Sequence, residues 1–560
     1  MEFSLFLYLA LLLLCSWLII VESYQKDDQL MHKDEYGVKD VKTDYKKGGD
    51  FASGSINLGG LELCQISQFT EVWRTDYGGP EDFGVTFFEA SSLPDGFSIL
   101  GSYAQANNKP LFGGWVLAAK DNQNESSNGT LKMPVDYTLV WSSESMNVTN
   151  DSNGYIWLPS PPDGYSAVGL VVTNSTNKPP LEKVRCVRSD LLESGEQDEW
   201  IWGEGTGQII VYGLRPTTRG TNALGVQVGT FVVQVAGADT PLPLFCLKNV
   251  NFTLAYMPNA TQIEALVQAH SPRIYFHPDE DYLPSSVDWL FSKGALLYQK
   301  GNESNPISIQ PNGLNLPQGG TDDGAYWLDL PIDEGAKDEV KKGDLQSATT
   351  YLHIKPMLGA TFTDISIWIF YPFNGPATAK VQLINIHFKK LGEHIGDWEH
   401  VTLRISNFNG ELWRVYFSEH DKGTWVNAAE LEFEGTKFVA YSSLHGHAAY
   451  PKPGLVLQGD TELGIGLRND AAKSNILMDT DSNYEIVSAE YLGTIVEPPW
   501  LNFSRKWGPK ISNNIAKEFG FIHKLFPGVN LTKVFPDGLF GEDGPTGPKW
   551  KNNWSGDEVI

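Results

Sequence analysis

The chain has 560 residues, long enough for two to four domains and at least two hydrophobic cores, so a small cross-linked scaffold is excluded. Its 42 Lys and Arg stand against 68 Asp and Glu, a net charge of −26 without a long basic run, which argues against a nucleic-acid partner bound through phosphates. With 55 Gly, 32 Pro, 17 Trp, 22 Tyr and 28 Phe, the composition predicts a mainly β protein of short strands and tight turns, and excludes collagen-like, coiled-coil and disordered chains.

In chain order, the first element is the apolar run Phe6 to Val21, followed by Val21, Glu22 and Ser23, whose small residues suit cleavage after Ser23. Residues 1–23 therefore read as a signal peptide. A retained signal anchor is the alternative, because the n-region carries Glu2 and no basic residue. Eleven N-x-S/T sites, Asn553 among them, fit a secretory-pathway chain, extracellular or in the vacuolar lumen. Without the leader, Cys64, Cys186 and Cys246 remain, enough for at most one disulfide. That disulfide reads as Cys186 with Cys246, against the alternative of three buried thiols. Residues 24–55 are charged, lack apolar periodicity and read as a disordered linker.

Residues 56–255 alternate in short runs broken by turn signals. Leu93-Pro-Asp-Gly-Phe-Ser-Ile-Leu-Gly101 is echoed by Pro161-Pro-Asp-Gly-Tyr-Ser-Ala-Val-Gly169, an offset of 68 residues, with a weaker third unit around Trp202 to Thr230. Such repetition predicts a pseudo-symmetric β-sandwich or prism. The stretches VWRTDYGG (72–79), LPDGFSILGSYA (93–104), YIWLPSPPDGYSAVGLVVTN (155–174), VRCVRSDL (184–191), SPRIYFHPDEDYLPSSVDWLF (271–291) and GEDGPTGPKWKNNW (541–554) resemble the plant branch of the vacuolar protein sorting-associated protein 62 family. Similar repeats occur in the lipid-transporting vacuolar protein sorting 13 proteins. The resemblance implies an architecture more than an activity, and the leader sets this chain apart from a cytosolic trafficking role.

Residues 256–560 predict a second β-sandwich with a few short helices, the first around Thr261 to Gln268. Between His277 and Ser286 the prolines impose turns, with Asp281 or Ser286 as a helix cap, so His277, Asp279 and Glu280 read as structural. Trp500, Trp507, Trp550 and Trp554 read as a clamp for the tail. Seven of the eleven His lie between His353 and His447. In His394-Ile-Gly-Asp-Trp-Glu-His400, strand alternation puts Asp397 and Glu399 on one face with Val401, Leu403 and Ile405, and Trp398, His400, Thr402 and Arg404 on the other. Two carboxylates on an apolar face call for a proton, a cationic side chain or a metal, and oxygen-rich ligation favours Mg2+, Ca2+ or Mn2+. His445 and His447 share a face in a second cluster, Tyr441 to Pro451.

These segments, with IFYPFNGPA (369–377), resemble the necrosis-inducing toxin family, whose GHRHDWE motif binds a divalent cation in a β-sandwich that recognises membrane sphingolipid head groups. The resemblance implies His394, Asp397 and Glu399 as ligands of Mg2+ or Ca2+. Asn374, His400, His445 and His447 are the pocket candidates. It departs at Gly396, where the motif has a second His, and at Asn374, where an acid is expected. Three functions stay open: a non-enzymatic protein binding a membrane lipid or glycan head group through a cation, a vacuolar trafficking adaptor using the repeats to hold a sorting partner, and a metal-dependent hydrolase. The last lacks any GxSxG, HExxH or Walker signature. The competing structural reading pairs Asp397 and Glu399 with Lys389, Arg404 or Arg414.

Overall fold

The computed structural model describes residues 48–559 other than 110–112, 123–128, 146–152, 204–208, 238–241, 421, 461–463 and 512–543. The leader, Cys15 and the acidic and basic run 24–47 lie outside the described residues. The protein is mainly β, in many antiparallel sheets that do not close into a barrel. Among the described residues, no helix is long and apolar enough to cross a membrane.

The repeat unit is legible in its turns. Phe97 N donates to Pro94 O and Tyr165 N to Pro162 O, both at 3.1 Å, with Gly96 and Gly164 at φ +82° and +81°. Only glycine takes that dihedral without strain. Each unit contributes three antiparallel strands: Phe69–Thr75, Val85–Ala90 and Tyr103–Ala106; Asp136–Ser142, Tyr155–Ser160 and Val171–Thr173; and, within a five-stranded sheet, Leu192–Trp202, Ile209–Pro216 and Phe231–Val235. Between its second and third strands each unit sends out a short one, Ser98–Ile99, Tyr165–Ser166 or Gly225–Val226. These pair with Val116–Asp121, Cys186–Arg188 and Phe245–Lys248 in turn.

The units close on one another in a ring. Leu117 N donates to Val228 O (2.8 Å), Arg185 N to Ile99 O (3.1 Å) and Phe245 N to Ala167 O (3.3 Å), so each unit bonds to the one before it. Leu100, Val168 and Val228, at equivalent positions, meet in one buried cluster. The module is thus a three-unit prism, and the third unit is real although it lacks Pro-Asp-Gly. At the axis a Cβ on Gly169 would stand 2.7 Å from Thr230 Cγ2 and 3.0 Å from Gly101 Cα. Gly169→Ala is therefore expected to destabilise the chain by about 1 to 3 kcal/mol, as overpacking does, which urea unfolding measures.

Of the two cysteine readings the buried thiols hold, and the Cys186–Cys246 disulfide is not formed. Cys64, Cys186 and Cys246 are free buried thiols, with Cys64 and Cys246 in different apolar clusters. Burial pushes Cys64 up to about 11 and Cys186 up to about 12, where thiolate chemistry is suppressed. The linker reading also needs correction at its end, because Phe51 is buried in the core of the second half.

That half begins with the helix α1 (Ala260–His270), capped reciprocally by Asn259 and Gln262. Ten strands position the candidate site: β1 (Arg273–Tyr275), β2 (Thr350–Met357), β3 (Phe362–Asn374), β4 (His394–Ser406), β5 (Leu412–Glu419), β6 (Lys422–Asn427), β7 (Lys437–Ser442), β8 (Ala449–Tyr450), β9 (Leu477–Asp479) and β10 (Tyr484–Ser488). The main sheet runs β6-β5-β4-β3-β2-β10, and the second runs β7-β1-β9 with β8 on β7. Val401, Leu403 and Ile405 of β4 and Ile365, Ile367 and Ile369 of β3 pack against Ile274, Phe438, Ala440 and Met478 of the second sheet. The other face of the main sheet is covered by Trp500, Trp507 and Trp554, packed with Trp368, Phe370 and Trp398. These three tryptophans hold the tail as expected, while Trp550 stays 39% exposed. A further cluster joins Leu58, Trp115 and Val228 of the repeats to Met357, Phe362 and Phe408, so the two halves share a core.

Candidate functional site

β3 and β4 pair along their whole length, and Tyr371 faces Asp397 while Ile369 faces Glu399. The alternation read from sequence holds, with apolar side chains of successive β4 residues entering opposite clusters. Near the start of the strand Gly396 has φ +67°, and a Cβ there would stand 2.8 Å from Trp507 O. No histidine fits at 396, which accounts physically for that departure from the toxin motif.

Asp397, Glu399, His394 and His447 come together on the sandwich face. Asp397 Oδ2 is 3.0 Å from His447 Nδ1, and Oδ1 accepts from Trp398 N at 3.0 Å. Ser418 Oγ donates to Glu399 Oε2 at 2.5 Å. The His447 ring stacks on Tyr371 at 3.9 Å, and its Nε2 is 3.0 Å from the carbonyl of Tyr282. Burial acts against every charge here. It raises Asp397, but His447, His394 and Lys551 outweigh it and hold that carboxyl below its ordinary range. It lowers His447, but the bond to Asp397 and the charge of Glu280 win and hold the ring above its ordinary value. Glu399 has no ion-pair partner among the described residues, and Lys551, the Ser418 bond and His447 offset its burial only in part. Burial, then the charge of Asp397, pushes it up to about 8, so it keeps its proton at neutral pH.

Glu280 was read from sequence as structural, and it belongs to this site. It is 7% exposed, accepts from His445 N (2.6 Å) and Tyr282 N (2.9 Å), and lies 3.9 Å from His447 Nε2. The signal was its place in an acid-rich segment between prolines, 117 residues from Asp397, which spacing cannot connect. His445 and His447 both sit in the left-handed region, at φ +66° and +58°, and strain of this kind concentrates at functional loops. The His445 ring lies beside Pro376 O (3.3 Å) and the Tyr282 ring. Asn374 uses its amide to tie Gly375 O (3.0 Å) and Gly392 O (2.8 Å), so it clamps a loop where an acid was expected.

His400 is a correction. It faces the opposite side of β4 and stacks on Trp368 at 4.2 Å, away from Asp397 and Glu399. There it joins a second constellation built by the tail. Glu558 accepts from Thr402 Oγ1 (2.6 Å) and Asn553 Nδ2 (2.8 Å), and lies 3.2 Å from His400 Nε2 and 3.7 Å from Lys355 Nζ. Arg404, fully buried, is paired with Asp364 (2.7 Å) and Asp557 (2.6 Å). Arg219 of the repeats also reaches Asp557, at 3.1 Å. Neither Arg404 nor Arg414 neutralises Asp397 or Glu399. The Asn553 glycosylation signal is buried in this network and closed to modification in the folded chain.

Solved structures with partial likeness include GNIP1Aa from Chromobacterium piscinae, at 19% identity and TM-score 0.27, over 37% of this chain and 40% of that one. A second, titled NLPPya in complex with glucosamine, matches at 15% identity and TM-score 0.20 over 35% of this chain and 68% of that one. A third, Necrosis and Ethylene inducing Protein 2 from the causal agent of cocoa's Witches Broom disease, gives 15% identity and TM-score 0.15 over 42% and 83%. The chain spans two fifths of the length of the first of these. No curated protein matches the sequence. A family model, by contrast, matches residues 34–558, from the charged segment through the repeats and both faces of β4 to the tail, and the chain belongs to the family of vacuolar protein sorting-associated protein 62.

Proposed function

We propose that this chain is a non-enzymatic binding protein of the secretory and vacuolar membranes that holds a glycan or lipid head group through a divalent cation, Mg2+ or Ca2+, on His394, Asp397 and Glu399. One observation carries the reading: the site buries more carboxylate than its own cations balance, and Glu399 is left holding a proton near neutral pH. A hard divalent cation suits such oxygen donors and takes the place of that proton. His394 Nδ1 lies 2.8 Å from the carbonyl of Gly396, which makes that nitrogen the donor and leaves Nε2 with its lone pair for a metal. His447, bonded through both nitrogens, orients Asp397 from behind. Beside Gly446, Ser443 Oγ and Asn469 Nδ2 are buried without partners among the described residues, and they are polar groups of the kind a hydroxyl-rich head group engages.

Calorimetric titration of the metal-free protein with Ca2+, Mg2+ and Mn2+ tests the reading. Saturable binding is expected, with at least a tenfold loss in the Asp397→Asn, Glu399→Gln double variant. A folded wild type that binds none of the three makes the cluster a structural network.

A further inference from the structure

Arg414, on β5, is 8% exposed and, among the described residues, makes no hydrogen bond or ion pair. Its guanidinium lies over the rings of Trp413 (4.2 Å) and Trp425 (4.4 Å). Arg404, its register partner across β4 and β5, lies over the same Trp425 ring at 4.4 Å. Arg404 spends Nε and Nη2 on Asp364 and Asp557, and its Nη1 is buried without an acceptor among the described residues. The acids nearest in charge to Arg414 are engaged elsewhere: Asp198 with Arg215 and Gln227, Asp557 with Arg404 and Arg219, Glu199 with Lys109. Burial and then Arg404 pull Arg414 down to about 10, which still leaves it cationic at neutral pH. Ring faces stabilise a guanidinium but accept none of its N–H groups in line, and its Nε is buried without an acceptor among the described residues, which is costly.

The surroundings place this fork at the seam between the halves. Trp413 packs edge-on against Trp115 of the repeats at 5.1 Å, and Arg219 of the repeats meets the tail at Asp557. We propose that Arg414 and the free Nη1 of Arg404 form an anion site at this seam, which takes a tetrahedral oxyanion of the phosphate class. A planar fork with free N–H groups matches such oxygens in geometry as well as charge. The site lies on the opposite face of β4 from Asp397 and Glu399, and it stands or falls independently of the cation reading.

The test uses the full chain in phosphate-free buffer at low ionic strength. Titration with inorganic phosphate is expected to give saturable heat and a rise in the unfolding midpoint, with affinity falling at least tenfold in Arg414→Gln and less in Arg414→Lys. In a second arm, phosphatidylcholine vesicles with and without phosphatidic acid assign the source: capture by the acidic vesicles that inorganic phosphate reverses identifies a lipid phosphate, and binding of phosphate alone identifies a soluble ester. Because Arg414→Met removes an unsatisfied buried charge, its midpoint without phosphate is expected to equal or exceed that of wild type. Absence of binding to both inorganic phosphate and the acidic vesicles overturns the proposal. So does unchanged binding in Arg414→Gln, or an Arg414→Met midpoint well below wild type, which would mean that the rings already satisfy the guanidinium.

Discussion

Replacing Glu558 by leucine is expected to destabilise the protein by about 3 to 5 kcal/mol, since it strips a buried cation of its counter-charge. Lys355 and Glu558 are each 1% exposed, and the carboxylate also serves Thr402, Asn553 and His400. Burial alone would raise Glu558, but Lys355, His400 and the hydrogen bonds outweigh it and hold it down at about 2. With a folded value below the unfolded one of 4.5, its contribution is present in full above about pH 4.5 and disappears as pH falls toward 2. That separation, at about 1.4 kcal/mol for each pH unit, amounts to about 3 kcal/mol. Urea unfolding of wild type and Glu558→Gln from pH 2 to 7 should show two curves that converge at the acidic end. Parallel curves would mean that the pair contributes nothing to folding.

Glu399→Gln is expected to act in the opposite direction. A carboxyl with its folded value pushed up to about 8 binds its proton more tightly in the native state, so stability falls as pH rises from 4.5 to about 8. Glutamine is neutral throughout. At pH 7 without metal the variant should therefore be more stable by about 3 kcal/mol, and at pH 4.5 the two should be nearly equal. Saturating Ca2+ should narrow or reverse the gap, because only wild type offers the second carboxylate. Denaturant unfolding at both pH values, with and without Ca2+, measures all four points. A wild type and variant of equal stability at pH 7 would show that Glu399 is already compensated.

What could be read from sequence was local. The faces of β4 followed from alternation, and two prism units followed from Pro-Asp-Gly turns. The third unit, only weakly legible around Trp202 to Thr230, reaches the same backbone path through Thr221 to Leu224 without that signature, and the register of its strands establishes it. The roles of Glu280 and of the tail carboxylate Glu558 were missed for one reason: each meets its partners across more than 100 residues, and no spacing rule reaches that far. Lys355 in Thr350–Met357 and Arg404 in His394–Ser406 did carry a trace, as single basic residues inside otherwise buried strands that must find an acid. Cysteine counting left a disulfide and three buried thiols as alternatives, and packing decides for the second, each thiol being a small apolar filler.

The closed ring of the repeat module bears on how this architecture can change. A linear array of repeats grows or shrinks by whole units, since each touches only its neighbours and its ends are capped. Here every unit receives a backbone bond from the next and gives one to the last, and Leu100, Val168 and Val228 fill a single axis. Loss of one unit opens two of three seams, and a fourth unit finds no vacant partner. Duplication can have built the module once, but it cannot extend it; variation is confined to the loops and outer faces, while the unit number is locked at three.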